Sequence, residues 1–187
     1  MDAKFFPQTA ELLRFLPEII LTIAGTLLLV MEGFKKDEDS RSLISTLAAI
    51  SIALAMYGTV VAYQTPGLAF SNMLISDGYA AFFRLVVLGV GLLTVLSSSA
   101  YLEREKSNTG EFYVLLLFSL AGQCLMAAAN ELMMVFIGLE VSSIASYILA
   151  GYLRDDKRGN EAALKLSLIH ISEPTRLRRI SYAVFCL

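Results

Sequence analysis

The chain has 187 residues, 56% of them hydrophobic, a mean hydropathy of +0.64 and a formal net charge of −2 at pH 7. Soluble domains average about 45–50% apolar residues even with glycine counted, and the excess here falls in long runs, which excludes an ordinary soluble domain. The near-neutral balance argues against a polyanionic partner, and one histidine with two distant cysteines, Cys124 and Cys186, makes no metal-ligand spacing.

At the N-terminus Lys4 precedes Phe5 and Phe6, but Pro7, Gln8, Thr9 and Glu11 break any apolar core, so a cleavable signal peptide is not expected. A helix needs about 20 mostly apolar residues to cross a hydrocarbon core of roughly 30 Å. Segments that meet this requirement run from about 15 to 33, 42 to 63, 79 to 99, 112 to 129 and 132 to 152. None alternates apolar and polar residues as a barrel strand does, so five transmembrane helices are predicted.

In the first span Pro17 suits the opening turn, and Glu18 faces the positive helix end. Glu18 and Glu32 are read as span-end residues that need no function. Between spans two and three, Thr65, Pro66 and Gly67 signal a turn. Phe70, Met73 and Ile75 follow among polar residues, leaving a short hairpin and a plain interfacial loop equally open. In the third span Arg84 is expected to snorkel to the interface or to pair with Asp77 or Glu131. Cys124 is read as lipid-facing or packing.

The connections after spans one, three and five carry Lys35, Lys36 and Arg41, then Arg104 and Lys106, then Arg154, Lys157 and Arg158. The other two connections carry no Lys or Arg. By the positive-inside rule the N-terminus lies outside, although Lys4 and Arg14 argue mildly the other way.

Glu140 lies near the middle of the fifth span, where an intramembrane charge costs about 2.5–3.5 kcal/mol on insertion scales. Helical spacing stacks Phe136, Glu140, Ser143 and Tyr147 on one face, where the two hydroxyls could hold a short water chain to the carboxyl. Glu140 is therefore the candidate proton-transfer residue, with Ser143 and Tyr147 in support. The alternative is that Glu140 is neutral or locked by a neighbouring helix as packing. Gly138, Ser142 and Ser146 form a small-residue stripe on another face, suited to close helix packing.

After Lys165 the sequence changes character. Leu166 to Arg176 resembles a translated transposase-type sequencing adapter, and Ile180 to Leu187 resembles the flow-cell end of the same adapter. Leu177, Arg178 and Arg179 fill an index-sized gap between them. Residues 166–187, with His170 and Cys186, are therefore expected to be a non-native tail on a fragment of a longer chain.

Several elements within residues 1–165 carry a family likeness: Leu16-Pro17-Glu18-Ile19-Ile20, Asp77-Gly78 with Phe82-Phe83-Arg84, and Asn130-Glu131-Leu132. Further on come Gly138-Leu139-Glu140, Tyr147 with Leu149-Ala150-Gly151, and Glu161-Ala162-Ala163-Leu164-Lys165. Together they resemble the subunit N family of NADH-quinone oxidoreductase, respiratory complex I. The resemblance implies a truncated N-terminal part of an antiporter-like bundle built as inverted repeats. It also implies coupling of NADH-to-quinone electron transfer to proton translocation. Glu140 matches the family's fifth-helix glutamate, which pairs with a seventh-helix lysine not present here. No cofactor is implied for this subunit, since NADH, flavin, iron–sulfur clusters and quinone belong to the rest of the complex. The implied partners are the other membrane subunits and the lipid bilayer, with no nucleic acid. The implied location is the bacterial inner (plasma) membrane, in multi-pass form. The fragment alone is expected to translocate nothing. Two other readings stay open: a subunit of a multisubunit cation/proton antiporter, and a non-transporting membrane scaffold.

Overall fold

The computed structural model describes residues 9–34, 40–104, 110–152 and 157–171. Lys4, Lys35, Lys36, Lys106, Arg154 and residues 172–187 lie outside the described residues. So does half of the basic pattern behind the expected orientation.

A short helix α1 (Thr9–Arg14), which the sequence reading did not anticipate, leads into α2 (Leu16–Phe34). Then follow α3 (Ser40–Gln64), a hairpin of β1 (Gly67–Ala69) and β2 (Leu74–Ser76), and α4 (Gly78–Arg104). The chain continues through α5 (Gly110–Ala128), α6 (Leu132–Ala150) and α7 (Lys157–Ile171). Among the described residues, helices α2 to α6 are the five that are long and apolar enough to cross a membrane. The chain is thus a multi-pass helical membrane protein. Helix α4 runs to Arg104, beyond the Ser99 expected for the third span.

Within the spans most hydroxyl side chains are satisfied by their own helix. Thr26 donates to the Thr22 carbonyl at 2.8 Å, Ser51 to Leu47 at 2.7 Å, Thr59 to Ala55 at 2.9 Å and Thr94 to Val90 at 2.9 Å. This back-bonding lets Ser and Thr sit in a bilayer without an orphaned polar atom.

Helix α2 packs on α3, α3 on α4, α4 on α5 and α5 back on α2, closing a four-helix ring. Its core is Leu21 and Leu28 of α2, Ala48 and Ile52 of α3, Leu88 and Val95 of α4, and Leu117 and Cys124 of α5. Helix α6 is added to the outside of the ring, chiefly against α5, and α7 packs on α6. Half of α5 is buried but only 17% of α6, so α6 presents most of its surface outward.

One end of the ring is stapled by the hairpin, so of the two open readings of this connection the hairpin is the one observed. Gly67 pairs with Ser76, Leu68 with Ile75 and Ala69 with Leu74. The tip turns through three left-handed residues, Phe70, Ser71 and Asn72 (φ 51°, 56° and 72°). Contacts with several neighbouring segments hold it. Arg14 donates through Nε to the Thr65 carbonyl at 2.9 Å and through its Nη atoms to Leu68 and Pro66. Ser76 donates to Ala62 at 2.9 Å. Asn130 donates through its backbone N–H to Met73 at 2.9 Å and through Nδ2 to Asn72 at 2.8 Å. Phe15 meets Phe70 edge-to-face at 5.5 Å, and Ala69, Leu74, Ala80 and Ala128 close a small apolar cluster beneath.

Candidate functional site

Glu140 is the ninth of the 19 residues of α6, so it sits at mid-span as the sequence placed it. The α5–α6 seam decides which way it faces. A Cβ added at Gly138 would lie 2.8 Å from the Gly122 carbonyl, and one added at Gly122 would lie 2.7 Å from the Gly138 carbonyl. The two backbones therefore touch, which only paired glycines permit. Beside them the Ser142 and Ser119 hydroxyls approach to 3.2 Å, and Gln123 Nε2 donates to both at 3.3–3.4 Å. The expected small-residue stripe is therefore the packing face for Gly138 and Ser142, while the Ser146 hydroxyl donates back to the Ser142 carbonyl at 2.8 Å.

Two residues along a helix correspond to about 200° of rotation, so Glu140 points away from this seam. Its neighbours on that side, Met133, Phe136, Ile137, Ile144 and Ile148, are all exposed. Glu140 and Ser143 are half-buried, and the Tyr147 hydroxyl is buried. The three share a face as expected. Among the described residues, however, no hydrogen bond joins Glu140 to Ser143 or Tyr147, so any proton path between them must run through water.

A second charged site was missed. Arg84, 2% exposed, does not snorkel and does not pair with Asp77 or Glu131. It reaches across the ring to Glu18, 3% exposed, with Nε and Nη2 both donating to Oε1 at 2.9 and 2.5 Å. Asp77 instead caps its own helix, accepting the Ala80 N–H at 2.7 Å. Glu18 is accordingly not an idle span-end residue. Helices α2 and α4 lie opposite each other in the ring, and this pair is the polar link between them. Parallel direction was the available signal: spans one and three enter from the same side, so opposite charges near their starts fall at similar depth. Their 66-residue separation hid the pairing.

Glu32 also has a place. A Cβ added at Gly110 would lie 2.1 Å from the Glu32 carboxyl, so this group rests against the first residue of α5. A helix N-terminus favours negative charge there. Cys124 is fully buried in the ring core and does not face lipid. Among the described residues no group of three or more His, Cys, Asp or Glu could hold a metal ion.

The comparisons with known proteins agree with this architecture. The family described as NADH:quinone oxidoreductase/Mrp antiporter, TM, matches residues 129–172, which include α6 and Glu140. NADH-quinone oxidoreductase subunit N 1 of Solibacter usitatus is 56% identical over 169 residues, covering 90% of this chain and 34% of that protein. Subunit N of Trichlorobacter lovleyi is 39% identical over 162 residues, covering 87% of this chain and 33% of that protein. Among solved structures, respiratory complex I from Thermus thermophilus with bound aureothin contains a chain that matches with a TM-score of 0.66. The match has 26% identity and covers 81% of this chain and 32% of that one. The chain thus spans about a third of the length of the relatives it matches.

Proposed function

We propose, from the resemblance of this chain to NADH-quinone oxidoreductase subunit N, that it is part of an antiporter-like membrane subunit of complex I. In the complete protein that subunit couples NADH-to-quinone electron transfer to proton translocation across a bacterial inner membrane. The observation that carries this reading is the placement of Glu140. A carboxyl at mid-span, turned away from a glycine-packed seam onto an outward face, suits a group awaiting a partner helix. Its depth makes a permanent unpaired charge costly, by about 2.5–3.5 kcal/mol on insertion scales. A cationic partner arriving on that face would offset that cost.

The proposed roles are these. Glu140 holds and releases the proton, while Ser143 and Tyr147 orient water beside it. The Gly122–Gly138 contact fixes the height and rotation of α6 relative to the ring. Redox cofactors belong to neighbouring subunits, and this chain contacts lipid and those subunits. The matched family description also covers Mrp antiporters, which keeps a cation/proton antiporter subunit as the second reading. The 56% identity to a subunit N favours the first.

The test is proton pumping in membrane vesicles by the assembled complex carrying the full-length subunit. Glu140→Gln keeps the shape and removes the ionisable group, so assembly should survive and pumping should fall severalfold. Glu140→Asp should lose less. Normal assembly with wild-type pumping in Glu140→Gln would make Glu140 a packing residue.

A further inference from the structure

The Glu18–Arg84 pair has a geometry that a simple clamp does not need. A carboxylate and a guanidinium commonly meet fork to fork, with one N–H on each oxygen. Here both N–H groups converge on Glu18 Oε1. The other oxygen, Oε2, is fully buried, and no donor among the described residues reaches it. Buried polar atoms in folded proteins almost always find a hydrogen-bond partner. A water molecule is the partner that suits a carboxyl oxygen in this position, because water can donate to the ionised form and accept from the protonated one.

We propose that Glu18 is a second proton-exchanging carboxyl of this bundle, taking its proton on Oε2 while Oε1 stays bonded to Arg84. The arrangement separates two jobs that a fork-to-fork pair would combine. Oε1 keeps the side chain pinned, so protonation needs no rotamer change. Oε2 is left to gain and lose the proton. In the forward step a hydronium ion of a water chain gives its proton to Oε2 and becomes water. The carboxylate becomes the acid, and the charge of the pair goes from zero to one positive. The reverse step returns the proton to water.

The position fits access from the hairpin end. Glu18 lies two residues into α2 and Arg84 six residues into α4, both near the end that the hairpin covers. Arg84 is the one charged side chain that faces Glu18 among the described residues. Helix α5 adds the buried Cys124, within electrostatic reach of both charges. Both side chains are buried, so exchange needs water to reach Oε2 from that end.

This proposal rests on the proton-translocation reading, and its test separates the two. A pH-step infrared difference spectrum is recorded on the reconstituted complex carrying the full-length subunit, as wild type, Glu18→Gln and Glu140→Gln. The expected result is a deuterium-sensitive protonated-carboxyl band that disappears in Glu18→Gln and persists in Glu140→Gln. A spectrum that Glu18→Gln leaves unchanged overturns the proposal. Glu18→Gln strips Arg84 of its counter-charge, so the Glu18→Leu/Arg84→Met pair serves as a second blank if the single variant does not assemble. That double variant should assemble and give at least about a twofold lower proton yield per NADH oxidised. Wild-type yield overturns the proposal. So does failure of both variants to assemble, which would make the charges a packing requirement. Normal pumping by Glu140→Gln would sink the wider reading and leave the Glu18 band standing.

Discussion

Glu140 and Glu18 are the two carboxyls proposed to exchange protons, and their surroundings give them different sensitivities. Glu140 faces outward and has no charged neighbour within the described residues, so its neutralisation should leave this part of the bundle folded. Glu18 is locked to Arg84 in the ring interior. Removing one partner leaves an uncompensated buried charge, whereas replacing both with apolar groups of similar volume is often neutral or stabilising. Arg84→Met alone should therefore destabilise the subunit by about 3–5 kcal/mol, while Glu18→Leu/Arg84→Met should recover most of that. Thermal unfolding of the detergent-solubilised complex reads the difference, and equal losses in the single and double variants would contradict it. Gly67 offers a sharper local test. Its φ of +143° is open to glycine, and an added Cβ would lie 2.7 Å from Arg14 Nη2. Gly67→Ala should detach Arg14 from the hairpin and raise hydrogen exchange at residues 67–76. Unchanged exchange there would show that the three hydrogen bonds from Arg14 do not hold the hairpin.

At the level of elements, α5 organises the molecule. It touches α2 and α4 in the ring and carries α6 on its outer side, so the seam with α6 decides where Glu140 points. Small residues make that seam: Gly122 against Gly138, Ser119 against Ser142. In a bilayer, helix association rests on close packing and not on water exclusion, so the loss of contact is felt directly. Gly138→Val should push α6 away from α5 and lower pumping without touching any ionisable group. Disulfide trapping between cysteines placed at Ser119 and Ser142 should form readily in the wild-type background and slow severalfold with Gly138→Val. Equal trapping rates would mean that the two glycines are dispensable. Outside the spans, α7 carries an exposed ion pair, Glu161 with Lys165 at 2.6 Å. The hydrogen bond and charge of Lys165 hold the Glu161 carboxyl below its usual range.

For the whole molecule, the hairpin and the Asn130–Glu131 link share one end of the bundle, and the C-terminal ends of α2 and α6 meet the start of α5 at the other. The proposed orientation puts the hairpin outside the cell. A cysteine placed at Ser71 or Asn72 should react with an impermeant reagent added from outside, and one at Ser40 or Ser107 should not. The reverse pattern would mean that the positive-inside rule fails for this chain. Residues 166–187 remain proposed as adapter-derived. The boundary falls inside α7, which runs on from Lys165 to Ile171, and the family match ends at residue 172. Long-read genomic sequence across the Lys165 codon should continue into a different apolar segment. Finding Ser172-Glu173-Pro174-Thr175-Arg176 there would remove the proposal.

The five spans could be read from the chain alone because a bilayer core imposes one simple rule, about 20 apolar residues per crossing. The depth of Glu140 followed from the same rule, since position along a helix is set by counting residues. The small-residue face of α6 followed from helical periodicity. Which helices touch was not accessible in this way, because contact between spans depends on residues far apart in sequence. Arg84 shows the limit: Asp77 and Glu131 were the partners expected for it. The ring instead places α2 opposite α4, and the burial of both side chains leaves Glu18 as the charge that can satisfy Arg84. The hairpin likewise had its turn residues in view, but its fastening by Arg14 and Asn130 needed three helix ends brought together. Local pattern fixed the elements and their depth in the membrane, and packing between distant segments fixed their partners.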